Sequence, residues 1–278
     1  MKQLKTPLRY PGGKSRATKF LFNYFPENVR AYREPFLGGG SVAIEFTKRF
    51  PECPVWVNDK YVNLYHFWSQ LQKNGDALYS AILNYKLKAE SYEDVDAAHR
   101  ELFLKSREAL GQSLDPFGVA VRFFIVNKCS FSGLGESSGF SAAASRSNFS
   151  KNNISRLPKY SELIQNWLIT NEDYTKVLEG CEQDEFVFCD PPYDIKSGLY
   201  GKKGEHHLSF DHNKFAGDTF NCAGNVMITY NSSDDIKGLF DVWHQTEWDL
   251  TYTMHSGKVY REDESNRKEL LLTNYEIE

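Results

Sequence analysis

No two cysteines in this chain are spaced as C-x-x-C. The five present, Cys53, Cys129, Cys181, Cys189 and Cys222, are scattered and odd in number. That pattern fits neither a disulfide framework nor a thiolate zinc site, so free thiols and no metal centre are expected. Long apolar runs are missing as well: none approaches the roughly 20 residues that cross a bilayer, and the mean hydropathy is −0.54. The opening MKQLKTPLRYPGGKSR is charged and lacks an apolar h-region, so no secretory leader and a cytoplasmic setting are expected. A positive charge balance is absent too. Lys and Arg number 33 against 37 Asp and Glu, a net charge of −4. Over the whole chain this argues against a polyanion partner.

The charge is nevertheless unevenly spread. Positions 1–19 hold Lys2, Lys5, Arg9, Lys14, Arg16 and Lys19 with no acid, and positions 120–160 hold Arg122, Lys128, Arg146, Lys151, Arg156 and Lys159 against Glu136 alone. If the fold joins these segments they form a face that tracks phosphates; if not, they are two solvated loops. The 278 residues, 41% hydrophobic and 25% charged, suffice for one large domain or a core with an insert. The 15% aromatic share offers flat surfaces for stacking.

Strand-like runs recur: VRAYREPF, VWVND, WLITNED, FVFCD, VMITY and KELLLTNY. Helical patterns such as SVAIEFTKRF and DALYSAILNYKL lie between them, which predicts an α/β fold with a parallel or mixed sheet covered on both faces. From about 61 to 160 the rhythm breaks. The helical EDVDAAHRELFLKSREALG is followed by FSGLGESSGFSAAAS, too long for an ordinary connection. The reading is a mainly helical inserted domain over 61–160, carrying a functional loop, within a domain built from 1–60 and 161–278. Phe131, Leu134, Phe140 and Phe149 make a disordered linker a poor account of that loop.

EPFLGGGSVA places glycines between a strand and a helix as G-x-G-x-x-A, from Gly38 to Ala43, and Asp59 ends the next strand about 20 residues on. That spacing suits the ribose of an adenosine-containing cofactor, whether a nicotinamide dinucleotide or a methyl donor. RYPGGKS ends like a phosphate-binding loop, but the position requiring glycine is Leu8, so that reading fails. Tyr10 and Lys14 there offer a ring and an ammonium to a cofactor. Lys202, Lys203, His206, His207 and His212 read as a lid or solvated loop rather than a metal site.

FVFCDPPYD is the most informative stretch. An apolar strand ends on Asp190, Pro191, Pro192 and Tyr193, at the carboxyl edge where open α/β sheets bind ligands. The Asp190 carboxylate and the Pro191 carbonyl are two acceptors, Pro192 fixes the turn, and Tyr193 supplies a flat face. This suits a planar molecule with an NH₂ group, such as a nucleobase. Accepting both amine hydrogens at fixed points would favour a tetrahedral nitrogen and aim its lone pair at an electrophile.

RYPGGK at 9–14, EPFLGGGS at 34–41, Asp59 and DPPY at 190–193, in this order, resemble the Dam-type, α-group DNA adenine methyltransferases. SFDHNKFA, ITYNSS and RKELLLTNY support the likeness. The resemblance implies a Rossmann-like mixed seven-stranded sheet, S-adenosylmethionine as donor, and a target adenine flipped from double-stranded DNA, with no obligatory protein partner. It implies cofactor contacts from Tyr10, Lys14, Phe36, Gly38, Gly40, Ser41, Asp59, Asp173 and Asp190. NKCSFSGLGES resembles the family's DNA-reading loop. By that match Lys128 touches phosphate, Phe131 wedges into the base stack, Ser132 lies beside it, and Leu134 and Glu136 face base edges. Arg9 meets a flanking base, and Arg146 and Lys151 join the DNA face. Members that methylate GATC carry Arg where this chain has Glu136, which points to another target. Cytosine-N4 methylation is the nearest alternative; a nicotinamide-dependent oxidoreductase and a non-enzymatic DNA-binding protein are more remote.

Overall fold

The computed structural model describes residues 4–112, 115–133, 135–193, 210–249 and 268–276. Leu134, Lys202, Lys203, His206 and His207 lie outside the described residues. Seven strands form one sheet: β1 (Ala31–Glu34), β2 (Val55–Asn58), β3 (Trp167–Thr170), β4 (Glu185–Cys189), β5 (Asn225–Asn231), β6 (His244–Trp248) and β7 (Glu269–Thr273). Their order is β3-β2-β1-β4-β5-β7-β6. Pairings from β3 through β5 are parallel, and β7 runs antiparallel to both its neighbours. This is the mixed methyltransferase-type sheet expected.

Both faces of β4 are covered. Phe186 and Phe188 enter one hydrophobic cluster while Val187 and Cys189 enter the other. Side chains alternate across a strand, so a strand packed on both faces must be apolar throughout, which explains FVFC. The chain leaves β1 toward β2 and β3, and leaves β4 in the opposite direction toward β5. The β1–β4 boundary is therefore the topological switch point, where the connections diverge and leave a crevice. Asp190 is the first residue after β4.

The helices are α1 (Thr18–Leu21), α2 (Ser41–Arg49), α3 (Val62–Glu90), α4 (Val95–Leu110), α5 (Pro116–Cys129), α6 (Ala142–Ser147), α7 (Lys151–Ile154), α8 (Leu157–Leu163), α9 (Tyr174–Leu178), α10 (His212–Phe220) and α11 (Asp234–Leu239). The region from α3 to α8 is helical as read. Its core is continuous with that under the sheet: Leu64, Phe67 and Trp68 of α3 share a cluster with Tyr32, Phe46 and Phe186. Asn74 breaks the α3 geometry at φ −135° and ψ 34°. Next to it, Gly75 lies so close to Ser161 of α8 that a Cβ would stand 2.3 Å from the serine Cβ. Asp94 caps α4 by accepting from Ala97 N, and Asp115 caps α5 by accepting from Gly118 N with Pro116 in the first turn.

Within FSGLGESSGFSAAAS the described residues form two short 3₁₀ turns, Phe131–Gly133 and Gly135–Ser137, followed by α6. An antiparallel bridge between Ser130 and Phe140 closes it. Among the described residues no helix is long and apolar enough to cross a membrane.

Candidate active site and nucleic-acid face

A cavity of about 290 Å³ opens beyond the carboxyl ends of β1, β2 and β4. Tyr10, Lys14, Phe36, Gly38, Gly40, Ser41, Asp59, Asp173, Asp190, Pro191 and Pro192 all line it. The structure thus brings the cofactor and catalytic candidates to one place. Tyr193 stands beside it, 4.8 Å below the Lys14 ammonium.

The glycine turn owes its shape to neighbours as well as to the cavity. Gly38 and Gly40 adopt positive φ of 49° and 66°. A Cβ on Gly38 would meet the Tyr10 ring at 2.9 Å, and one on Gly40 would meet Trp68 at 2.7 Å. Trp68 also donates from Nε1 to the Gly38 carbonyl at 3.1 Å. Asp59 is fixed by two backbone donors, Gly38 N to Oδ2 at 2.8 Å and Tyr61 N to Oδ1 at 2.9 Å. Asp173 caps α9 and pairs with Lys60 at 3.1 Å. The aromatic wall is tight: Phe36 lies 5.5 Å from Tyr174 and 5.8 Å from Phe210.

At the catalytic end, Lys14 Nζ donates to Asp190 Oδ1 at 2.7 Å and Oδ2 at 2.8 Å, with a third bond to the Gly12 carbonyl at 2.9 Å. Thr229 of β5 donates to Asp190 Oδ1 at 2.8 Å. Lys14 is 2% exposed and Asp190 21%, so this pair is largely withdrawn from water. The Tyr193 hydroxyl donates to Glu269 of β7 at 2.6 Å. Sequence reasoning missed Glu34, a cavity-lining acid at the end of β1 that accepts from the Tyr32 hydroxyl at 2.6 Å. Burial pushes its carboxyl well above the usual range, and the nearby Asp190 and Asp59 charges add to the shift, favouring the protonated acid. It also missed Asn58, whose side chain holds the Pro35 and Glu172 carbonyls and so fixes the turns after β1 and β3. Glu34 directly precedes the glycine motif, which was the available signal. Asn58 had none beyond its place before Asp59.

The DNA-face candidates divide. Arg9 and the α5 terminus are joined by paired bonds, Arg9 N to Asn127 Oδ1 at 2.9 Å and Asn127 Nδ2 to Arg9 O at 2.6 Å. The Arg9 guanidinium reaches the Ser130 carbonyl at 2.7 Å. The two basic segments therefore meet, with part of their charge turned inward. Lys128 is 6% exposed over the Phe124 ring. Burial, with the charges of Arg9 and Arg156, lowers its ammonium to about 7. The expected phosphate contact does not match that position. Its place in α5, whose residues from Val119 to Cys129 are nearly all buried, draws it inside. Phe131 is 48% exposed, as a wedge requires. Glu136 accepts from the Tyr61 hydroxyl and from Asn63 Nδ2, the latter at 3.2 Å. Arg146 pairs with Asp96 and Lys151 with Glu90, both on the outer surface. Leu134 and the Ser132 side chain fall outside the described residues. Among the described residues no group of three or more His, Cys, Asp and Glu is placed to hold a metal.

Comparison with known proteins agrees with this geometry. Residues 10–254 match the family described as D12 class N6 adenine-specific DNA methyltransferase. The type II methyltransferase M.CviBI of Paramecium bursaria Chlorella virus NC1A is 25% identical over 98% of this chain and all of its own length. The DNA adenine methylase of Escherichia coli K12 is 26% identical over 76% of this chain and 72% of its own. The DNA N-6-adenine-methyltransferase of Escherichia phage P1 is 24% identical over 84% of this chain, which corresponds to 30% of that longer protein. Since the family match takes in both the glycine turn and the DPPY strand end, this chain belongs to the D12 class of adenine-specific DNA methyltransferases.

Proposed function

We propose that the cavity takes S-adenosylmethionine and that Asp190, Pro191, Pro192 and Tyr193 hold a flipped target adenine beside it. The observation that carries this is the position of Lys14. Its Nζ is gripped by both Asp190 oxygens, at 2.7 and 2.8 Å, and lies 4.8 Å from the Tyr193 ring centroid. The protein's own amino group stands in here for the exocyclic amine of a base: a nitrogen whose hydrogens point into a carboxylate over an aromatic face.

The lining fits a nucleoside-bearing donor. Asp59, held by two backbone amides, suits a ribose diol, and the Phe36–Tyr174–Phe210 wall suits a flat base. When bound, S-adenosylmethionine supplies an electrophilic methyl on a positively charged sulfur. Asp190 and the Pro191 carbonyl accept the two N6 hydrogens, which draws the nitrogen lone pair out of conjugation and stabilises the positive charge that develops on it. Thr229 fixes the rotation of the Asp190 carboxylate. Lys14 yields its place to the amine, and the N6 proton lost after transfer passes to the Asp190 side. Phe131, exposed on the loop beside Arg9, fills the gap left by the flipped base.

Mixed-sequence duplex DNA incubated with radiolabelled S-adenosylmethionine should carry label on adenine N6. Asp190→Ala should still bind S-adenosylhomocysteine and DNA while methyl transfer falls on the order of a hundred- to a thousandfold. Label on cytosine N4, or a full rate in the variant, would overturn the assignment.

A further inference from the structure

Glu136 and Tyr61 join two regions that have separate duties. Tyr61 lines the cofactor cavity, and its backbone N–H donates to Asp59 Oδ1 at 2.9 Å. Its hydroxyl donates to Glu136, in the 3₁₀ turn Gly135–Ser137 of the DNA-facing loop. Asn63, in the first turn of α3, donates to the same carboxylate oxygen at 3.2 Å. A single residue thus touches the cofactor acid with its backbone and the recognition loop with its side chain. Tyr61 is further braced edge-on against Phe123 of α5, at 5.9 Å between centroids, so the link runs through packed groups.

We propose that Glu136 is a positioning residue, not a base reader: it docks the recognition loop on the wall of the cofactor cavity through Tyr61 and Asn63. Cofactor and DNA binding are then coupled through Asp59, Tyr61 and Glu136. A cofactor that draws on Asp59 tightens the residue that anchors the loop, and DNA that seats the loop tightens the residue that anchors Asp59. Coupling of this kind is reciprocal. The inference rests on the reading of the cavity as the S-adenosylmethionine site. It also accounts for an acid at this position, since a carboxylate accepts from a phenol and an amide where an arginine cannot.

The test measures S-adenosylhomocysteine affinity by calorimetry with and without a duplex carrying the target sequence, which is first identified by sequencing methylated plasmid DNA. Wild-type protein should bind it about fivefold or more tighter on DNA, within the usual span of coupling. Tyr61→Phe, which leaves the Asn63 bond to Glu136, should lower that ratio, and Glu136→Ala and the double variant should bring it close to one and to the same value, because without the carboxylate the Tyr61 hydroxyl has no further part in the link. Sequencing should show the same target preference for Glu136→Gln as for wild type. An unchanged ratio in Tyr61→Phe, or a wild-type ratio of one, overturns the coupling alone. A preference altered at one base pair by Glu136→Gln but not by Tyr61→Phe shows base reading and overturns the positioning role. Wild-type protein that binds no S-adenosylhomocysteine overturns the cofactor reading and this inference with it.

Discussion

The Tyr193 hydroxyl donates to Glu269 Oε2 at 2.6 Å, tying the ring after the two prolines to a buried carboxylate on β7. Glu269 lies opposite Asn231 of β5, two residues beyond the Thr229 that holds Asp190. One antiparallel strand pair therefore holds both the Asp190 carboxylate, through Thr229, and the Tyr193 ring, through Glu269.

Glu269→Ala should cost methyl transfer more than binding. A hydrogen bond to a charged acceptor is worth about 1.5–3 kcal/mol, so if the loss falls on the transition state, kcat drops roughly tenfold or more. Glu269→Gln, which keeps an acceptor, should recover most of it. Single-turnover transfer on a saturating duplex reads this. A rise in KM at constant kcat would mean that Tyr193 only helps to bind DNA.

Gly40 of the glycine turn and Gly217 of α10 predict opposite signs for the same substitution. Gly40→Ala combines a left-handed backbone, costing about 1–2 kcal/mol, with a Cβ placed 2.7 Å from the fully buried Trp68. Overpacking adds about 1–3 kcal/mol, so a clear fall in the denaturation midpoint is expected. Gly217, inside α10, has nothing within 4 Å of a built Cβ. Gly217→Ala should stabilise by about 0.5–1 kcal/mol through helix propensity. Urea denaturation of both variants checks the pair, and a destabilised Gly217→Ala would contradict the packing described.

His99 makes stability depend on pH. It is 1% exposed, its Nε2 faces Lys86 Nζ at 3.1 Å, and its Nδ1 has no partner among the described residues. Glu90 pairs with Lys86, Asp96 lies on the same helix, and the Phe149 ring packs edge-on. Burial first, then the Lys86 charge, holds the imidazole below its ordinary 6.5, with Glu90 and Asp96 opposing. The unfolded chain therefore takes up this proton first as pH falls. The contribution is complete above about pH 6.5. It is lost as pH drops from there to the folded value, at no more than about 1.4 kcal/mol per pH unit. His99→Gln should remove that slope between pH 7 and 5 relative to wild type in paired denaturation curves. Equal slopes would mean that His99 protonates as freely inside as outside.

What could be read from sequence follows from what each residue answers to. FVFCDPPY was legible because a strand buried on both faces leaves an unbroken apolar run, and the prolines must end it. The glycine turn and Asp59 were legible because their spacing is local. Thr229 and Glu269 are placed by the β5–β7 register, with Tyr230 opposite Leu270 and Asn231 opposite Glu269, so no local pattern marks them. β6 has the pattern of a solvated edge strand, with His244, Gln245 and Glu247 exposed, and so lacks the alternation that signals a half-buried strand. Lys128 lies inside although its charge alone suggests the surface, because its place in the helix decides. FFIVNKC is buried all round, and a lysine in such a helix goes inside with it.

Phe131 gives the sharpest separation of DNA reading from folding. Its backbone is held, N–H to the Gly139 carbonyl at 2.9 Å and carbonyl from Ser138 Oγ at 3.1 Å, while its ring is 48% exposed. Removing the ring should leave stability within about 0.5 kcal/mol, as for other surface substitutions. Stacking on a base is worth about 1–3 kcal/mol, so kcat/KM on duplex DNA should fall roughly 5- to 150-fold in Phe131→Ala and recover in Phe131→Trp. With 2-aminopurine at the target position, wild-type protein should raise the fluorescence as the base leaves the stack, and Phe131→Ala should raise it less. Transfer to single-stranded DNA, where no gap opens, should be nearly unaffected. A variant that loses stability but keeps its duplex rate would place Phe131 in packing and move the wedge to another residue.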